Sequence, residues 1–108
     1  MKRTKLLAMV MTTAIAATGA VCAANAEGIP AEDLKVGAIY IGDENEGYTA
    51  AHMAGIDEMM EKFGLDESQV IEKTLIGEDE TCYDAAADLA DQGCQIIFGT
   101  SFGHETYL

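Results

Sequence analysis

Basic residues are scarce in this sequence, which has six Lys and Arg against 19 Asp and Glu in 108 residues, a formal net charge of −13 at pH 7. Nucleic-acid binding depends on Lys and Arg that neutralise phosphates, so this balance excludes most nucleic-acid partners. It also argues against docking on anionic membrane surfaces. With 49% hydrophobic residues the chain is too apolar to be a disordered polyelectrolyte, and its length allows one domain at most.

Residues 1–26 have the three regions of a secretory signal peptide. The segment begins with basic residues, continues as an uncharged apolar stretch, and ends in Ala24-Asn25-Ala26, the small-x-small pattern that signal peptidase recognises. We therefore expect cleavage before Glu27 and export to the periplasm or to the extracellular face of the cytoplasmic membrane. A lipid anchor on Cys22 is the less favoured alternative, because the residues before it depart from the bacterial lipobox pattern. Beyond residue 26 only three basic residues face the 19 acidic ones, a net charge of −16.

The remaining sequence contains no repeat, low-complexity tract or linker. After a lead-in of residues 27–34, short apolar runs alternate with segments in which apolar residues recur at helical spacing. The order β-α-β-α-β predicts an α/β fold, a parallel doubly wound half-sheet with right-handed crossovers and a buried central first strand. The predicted strands are residues 35–41, 70–76 and 94–98, and the predicted helices are residues 48–63 and 82–92.

Glycines end both predicted helices, Gly64 the first and Gly93 the second. The second helix starts, on this prediction, at a sequence that resembles a capping box, residues 81–84. Cys82 and Cys94 stand at the two ends of this helix, which would hold them roughly 15 Å apart. A disulfide needs Cα atoms within about 7 Å, so we expect two unbridged apolar thiols. The apolar helix faces are predicted to be Ile56, Met59, Met60 and Phe63 in the first helix, and Cys82, Ala85, Ala86 and Leu89 in the second.

Residues 105–108 resemble the beginning of a third helix. Three strands and two helices leave open sheet edges and a small core for an independent domain. We therefore expect residues 35–108 to be part of the N-terminal lobe of a longer protein.

Ligands of doubly wound sheets bind beyond the carboxyl ends of the strands, which directs attention to residues 42–52 and 99–104. The first loop has the G-x-x-x-x-G spacing of a phosphate-binding loop, but Tyr48 occupies the position of its lysine. Three carboxylates in this loop would repel a phosphate, and no G-x-G-x-x-G supports a dinucleotide. Sugar hydroxyls, amines or cations suit the loop better. We expect no cofactor and no metal: Ala54 stands where a calcium loop needs Glu, and the His and Cys residues lack zinc-ligand spacing.

Tyr48 and His52 lie one helical turn apart and would line the cleft side of the first helix. The alternative is that both simply pack at the boundary between helix and sheet. Ser101 lies in Gly99-Thr-Ser-Phe-Gly103, which matches the G-x-S-x-G nucleophile elbow of α/β-hydrolases and follows a strand. An esterase is the enzymatic alternative, but a triad would also need an acid and a more distant His, and only His104 and Glu105 follow. We expect the chain not to be an enzyme.

Three segments, residues 35–42, 47–55 and 96–103, together resemble the basic membrane protein family. Its members are substrate-binding proteins of ABC transporters and are related to purine nucleoside receptor lipoproteins. One branch of the family has a Gly-aromatic-Ser/Thr-x-x-His-x-x-Gly run after the first strand and an apolar strand that ends in Ser-Phe-Gly. The matching residues are Gly47, Tyr48, Thr49, His52 and Gly55 in the first motif, and Ser101, Phe102 and Gly103 in the second.

The resemblance, which covers residues 34–108, implies a type I periplasmic-binding fold. In that fold two α/β lobes close about a hinge on a nucleoside-like ligand, here a purine nucleoside or nucleobase. It implies a monomer that delivers the ligand to a membrane permease of an ABC transporter. Tyr48 would stack on the base, Asn45 and His52 would offer hydrogen bonds, and Ser101 and Phe102 would lie on the facing rim. A ligand-sensing receptor domain on the same fold is a further alternative.

Overall fold

The computed structural model describes residues 28–108. The predicted signal peptide, its cleavage site and Cys22 lie outside the described residues. Five main elements follow one another: β1 (Val36–Ile39), α1 (Gly47–Phe63), β2 (Val70–Lys73), α2 (Glu80–Asp91) and β3 (Ile96–Gly99). Short 3-10 helices span Ala31–Asp33, Glu67–Gln69 and Phe102–Tyr107.

The three strands form a parallel sheet in the order β2-β1-β3. Val36 of the central strand aligns with Val70 on one side and with Ile96 on the other. All four residues of β1 are buried. The predicted α/β fold with a buried central first strand is therefore confirmed.

The helices cover opposite faces of this sheet. Ala38 and Tyr40 contact Ile56 of α1, whereas Ile39, between them in sequence, contacts Ala85 and Leu89 of α2. Side chains alternate between the two faces of a strand, so β1 contributes to both hydrophobic clusters. This arrangement is the doubly wound pattern that the sequence predicts.

Both helices end at the predicted glycines, which adopt positive φ angles of 67° at Gly64 and 93° at Gly93. In α2 the amide of Cys94 donates to the carbonyl of Leu89 at 3.0 Å, a bond characteristic of the Schellman motif. Because this bond holds Cys94 in the helix terminus, β3 begins at Ile96 rather than at residue 94. Cys94 and Cys82 are free thiols.

Local predictions also differ from the structure at the cap of α2, at the end of β2 and in the last segment of the chain. The residue that caps α2 is Asp79 and not Thr81, since the Asp79 carboxylate accepts from the Thr81 amide at 2.9 Å and a carboxylate also suits the helix dipole. β2 ends at Lys73 because Leu75, at φ 55°, interrupts the regular ladder, although its amide still donates to the carbonyl of Gly42 at 3.0 Å. The segment predicted to begin a third helix lies instead largely within the 3-10 helix Phe102–Tyr107.

The predicted apolar faces are confirmed in α2, where Cys82, Ala85 and Leu89 are buried. In α1, Ile56 is buried and Met59 and Met60 pack against its cluster, but Phe63 is 56% exposed at the helix end. No helix among residues 28–108 is long and apolar enough to cross a membrane.

Candidate functional site

β1 and β3 are neighbours in the parallel sheet, so their carboxyl ends lie side by side. From β1 the chain crosses first to β2 on one side and then to β3 on the other side. Such a topological switch point is where doubly wound sheets form a ligand crevice. Thr100 closes this end of the sheet: its amide and its hydroxyl donate to the carbonyl of Ile39, at 3.2 Å and 2.9 Å. The loops after β1 and β3 therefore flank one crevice.

Two adjoining grooves occupy this crevice. The apolar groove, about 440 Å³, lies between α1 and the end of β3, and the polar groove, about 470 Å³, lies along the loop after β3. They share Gly99 and Thr100. The apolar groove is lined by His52, Gly55, Ile56, Met59, Phe98, Gly99 and Thr100, and the polar groove by Tyr48, Gly99, Thr100, Ser101, Phe102, Glu105 and Leu108.

Tyr48 connects the two sides of the crevice. Its hydroxyl donates to the backbone carbonyl of Thr100, which ties the first turn of α1 to the loop after β3. Its ring meets the His52 ring edge to face, with centroids 4.7 Å apart and planes at 71°. Because Tyr48 is 50% exposed, part of a flat aromatic surface remains open to solvent.

Four of the five predicted site residues meet here: Tyr48 and Phe102 are exposed, and His52 and Ser101 are partly buried. Phe102 is 90% exposed at the rim. Asn45 lies outside the lining of both grooves, in a turn where its backbone amide donates to the Asp43 carboxylate at 2.9 Å. The predicted site residues therefore supply four of the twelve residues that line the two grooves, and the prediction did not name Thr100, Met59 or Phe98 as site residues.

Ser101 is held by a carboxylate. Its hydroxyl donates to Glu78, which also accepts from the amide of Gly103 at 3.0 Å. His104 is buried, and its Nε2 lies 3.0 Å from the carbonyl of Ile76. In the G-x-S-x-G segment the Ser101 hydroxyl is therefore paired with a carboxylate and not with an imidazole.

A second carboxylate organises the loop after β1. Glu46 caps α1 and accepts from the amides of Tyr48 and Thr49, each at 2.8 Å. The hydroxyl of the buried Thr49 accepts from the amide of Gly42 at 3.1 Å. A Cβ at Gly42 would lie 2.9 Å from that hydroxyl, so only glycine fits this turn without a shift of its neighbours.

These hydrogen bonds lower the pKa of both carboxyl groups. The Thr49 amide is the main cause at Glu46, and the Ser101 hydroxyl is the main cause at Glu78. A carboxyl with a lowered pKa in the folded state stabilises the fold fully above its unfolded-state pKa. That stabilisation is lost as the pH falls through the lower, folded-state value.

We therefore expect urea unfolding to require less denaturant at about pH 3 than at about pH 6. Glu78→Gln should make this acid sensitivity smaller, because it removes one of the groups that must be protonated. Glu58→Gln is the control, because it changes an exposed carboxylate of α1 that lines neither groove. An equal acid sensitivity in the wild type and in Glu78→Gln would contradict the prediction.

Within residues 28–108 no group of three or more His, Cys, Asp or Glu side chains is placed to hold a metal ion. The arrangement offers a flat aromatic face, an apolar groove beside it, and hydroxyl and carboxylate groups along the rim. These features suit a small molecule with one planar apolar part and one polar part. No protein-family model matches the chain, and no curated protein sequence matches it.

Proposed function

We propose that this chain forms a lobe of an exported solute-binding protein of an ABC transporter and that its ligand is a purine nucleoside or nucleobase-like molecule. The half-exposed ring of Tyr48, fixed at the switch point of the sheet, is the observation on which this proposal mainly rests. Its hydrogen bond to Thr100 orients the ring without covering it. A preoriented aromatic face loses little conformational freedom when a planar ligand stacks on it.

The two grooves support a ligand with two chemically different parts. The apolar groove, with Ile56, Met59 and Phe98, suits a planar ring, and His52 provides ring nitrogens for a hydrogen bond there. The polar groove places Ser101 and Glu105 within the same crevice, where ligand hydroxyls can be hydrogen-bonded. A nucleoside joins such a ring to such hydroxyls.

Binding rather than catalysis is supported by the state of Ser101. A serine nucleophile needs a neighbouring base that removes its proton, and the group bonded to the Ser101 hydroxyl is the Glu78 carboxylate, whose pKa is lowered. A low carboxyl pKa makes a weak base. The same contact instead fixes the rim of the polar groove.

Transport would follow from closure of two lobes about a hinge. Neither groove is enclosed, so a ligand bound here leaves surface for a second lobe of the same protein. A ligand that contacts both lobes stabilises the closed form, and the closed form is the state that the membrane permease would recognise. No cofactor takes part in this mechanism.

We expect weak, localised binding of adenosine and guanosine by this lobe. NMR titration of the protein purified after export should shift the amides of Tyr48, His52 and Thr100, with a Kd weaker than about 1 μM because much of the contact surface belongs to the other lobe. Maltose is the control for a polar ligand without a planar ring. Shifts elsewhere, or no shifts, would contradict the proposed ligand, and submicromolar binding would contradict the two-lobe mechanism.

A further inference from the structure

We propose that Glu46 and Glu78 make this site select uncharged ligands against their phosphorylated forms. This inference rests on the proposed function and extends it from the class of ligand to the residues that discriminate between an uncharged and a phosphorylated ligand. It draws on three independent features of the crevice: the occupants of its backbone amides, the positions of the lysines, and the placement of the two carboxylates beside the lining residues.

Backbone amides at the turns from strand to helix are the groups with which α/β folds commonly bind phosphate. Here the amides that would do so are already bonded to carboxylates of the chain. Glu46 accepts from Tyr48 and Thr49, at 2.8 Å each, and Glu78 accepts from Gly103 at 3.0 Å. A phosphate would have to displace these carboxylates, and it would meet a negative charge at the position where such folds usually present only donors.

The positive charges of the described residues lie outside the lining of both grooves. Lys35 donates to the carbonyl of Gln92, near the amino end of the sheet. Lys73 is at the carboxyl end of β2, two strands from Gly99, and its ammonium group is paired with Asp88 of α2 at 2.7 Å. Lys62 lies in the last turn of α1, roughly 20 Å from the first turn at 1.5 Å per residue. No lysine or arginine of residues 28–108 lines either groove, whereas Glu105 lines the polar one.

Both carboxylates act directly on the crevice. Glu78 is hydrogen-bonded to Ser101, which lines the polar groove. Glu46 is hydrogen-bonded to the amide of Tyr48, which also lines the polar groove. For a phosphate dianion about 5 Å from one such carboxylate in water at physiological salt, the screened repulsion corresponds to roughly a fivefold loss of affinity.

Glu46→Gln and Glu78→Gln test this proposal, because glutamine removes the charge. At Glu78 it keeps the one oxygen that accepts from both Ser101 and Gly103, and at Glu46 it keeps one of the two oxygens that accept from Tyr48 and Thr49. Titration with adenosine and with adenosine 5′-monophosphate gives, for each protein, the Kd of the monophosphate divided by the Kd of adenosine. We expect that ratio to fall roughly fivefold in each variant and to change less at 1 M salt, where charges are screened within about 3 Å. Asp66→Asn is the matched control: this carboxylate caps the 3-10 helix that precedes β2, at the opposite end of the sheet.

An unchanged ratio in both variants, or an equal change in Asp66→Asn, would overturn the proposal. If neither nucleoside nor nucleotide binds to the wild type, the proposed function fails, and inorganic phosphate then decides the charge selection separately. Phosphate should shift the amides of Tyr48 and Thr49 in Glu46→Gln and leave them unshifted in the wild type. Phosphate shifts in the wild type, or none in the variant, would refute the role of Glu46.

Discussion

Replacing Leu89 with alanine is expected to lower the free energy of unfolding by about 3 kcal/mol. Leu89 is fully buried and packs against Ile39, Cys82 and Ala85 in the cluster beneath α2. A Cβ at Gly37 would lie 2.9 Å from its Cδ1, so the leucine rests directly on the backbone of the central strand. Because Gly37 has no side chain that could move into the space, the alanine would leave a cavity.

Urea unfolding followed by circular dichroism measures this change. Leu75→Ala is the matched control, since it removes the same atoms from a side chain that is 68% exposed and should alter stability by less than about 0.5 kcal/mol. Domains of this size have little stability in reserve, so loss of the cooperative transition in Leu89→Ala would be consistent with the prediction. Equal effects of the two changes would contradict the packing described for α2.

The part of the fold that could be predicted from sequence is the part determined by local chemistry. Gly64 and Gly93 end their helices because glycine adopts positive φ without steric cost. The two glycines therefore predict the helix ends from the sequence. Leu75 adopts a positive φ as well, but nothing in a leucine indicates it. The hydrogen bond from its amide to the carbonyl of Gly42, 33 residues earlier, depends on the assembled sheet.

In the candidate site, too, local sequence predicts some features and does not predict the contacts between distant segments. Helical spacing predicted that Tyr48 and His52 share one face, and Ser101 could be placed because it follows a strand. The hydrogen-bond partners of Tyr48 and Ser101 could not be predicted from the sequence. Glu78 reaches Ser101 across 23 residues, and the Thr100 carbonyl reaches Tyr48 across 52, contacts that exist only after β1 and β3 pair.

Replacing Tyr48 with alanine is expected to weaken adenosine binding about 30-fold, which corresponds to about 2 kcal/mol of lost stacking. Tyr48→Phe separates the two contributions of this side chain. Phenylalanine keeps the aromatic face and removes only the hydroxyl that donates to Thr100. If the ring itself binds the ligand, Tyr48→Phe should stay within about fivefold of the wild type, since one hydrogen bond of net worth about 1 kcal/mol is lost.

Tyr83→Ala is the control for the loss of a tyrosine as such, because this side chain is 59% exposed on α2 and lies outside both grooves. It should leave the Kd unchanged, and circular dichroism should show that all three variants remain folded. Equal weakening in Tyr48→Phe and Tyr48→Ala would mean that the tie to Thr100, and not stacking, determines affinity. In that case Tyr48 would act by positioning the loop after β3, and the ligand would contact Ser101 and Phe102 on that loop rather than the ring.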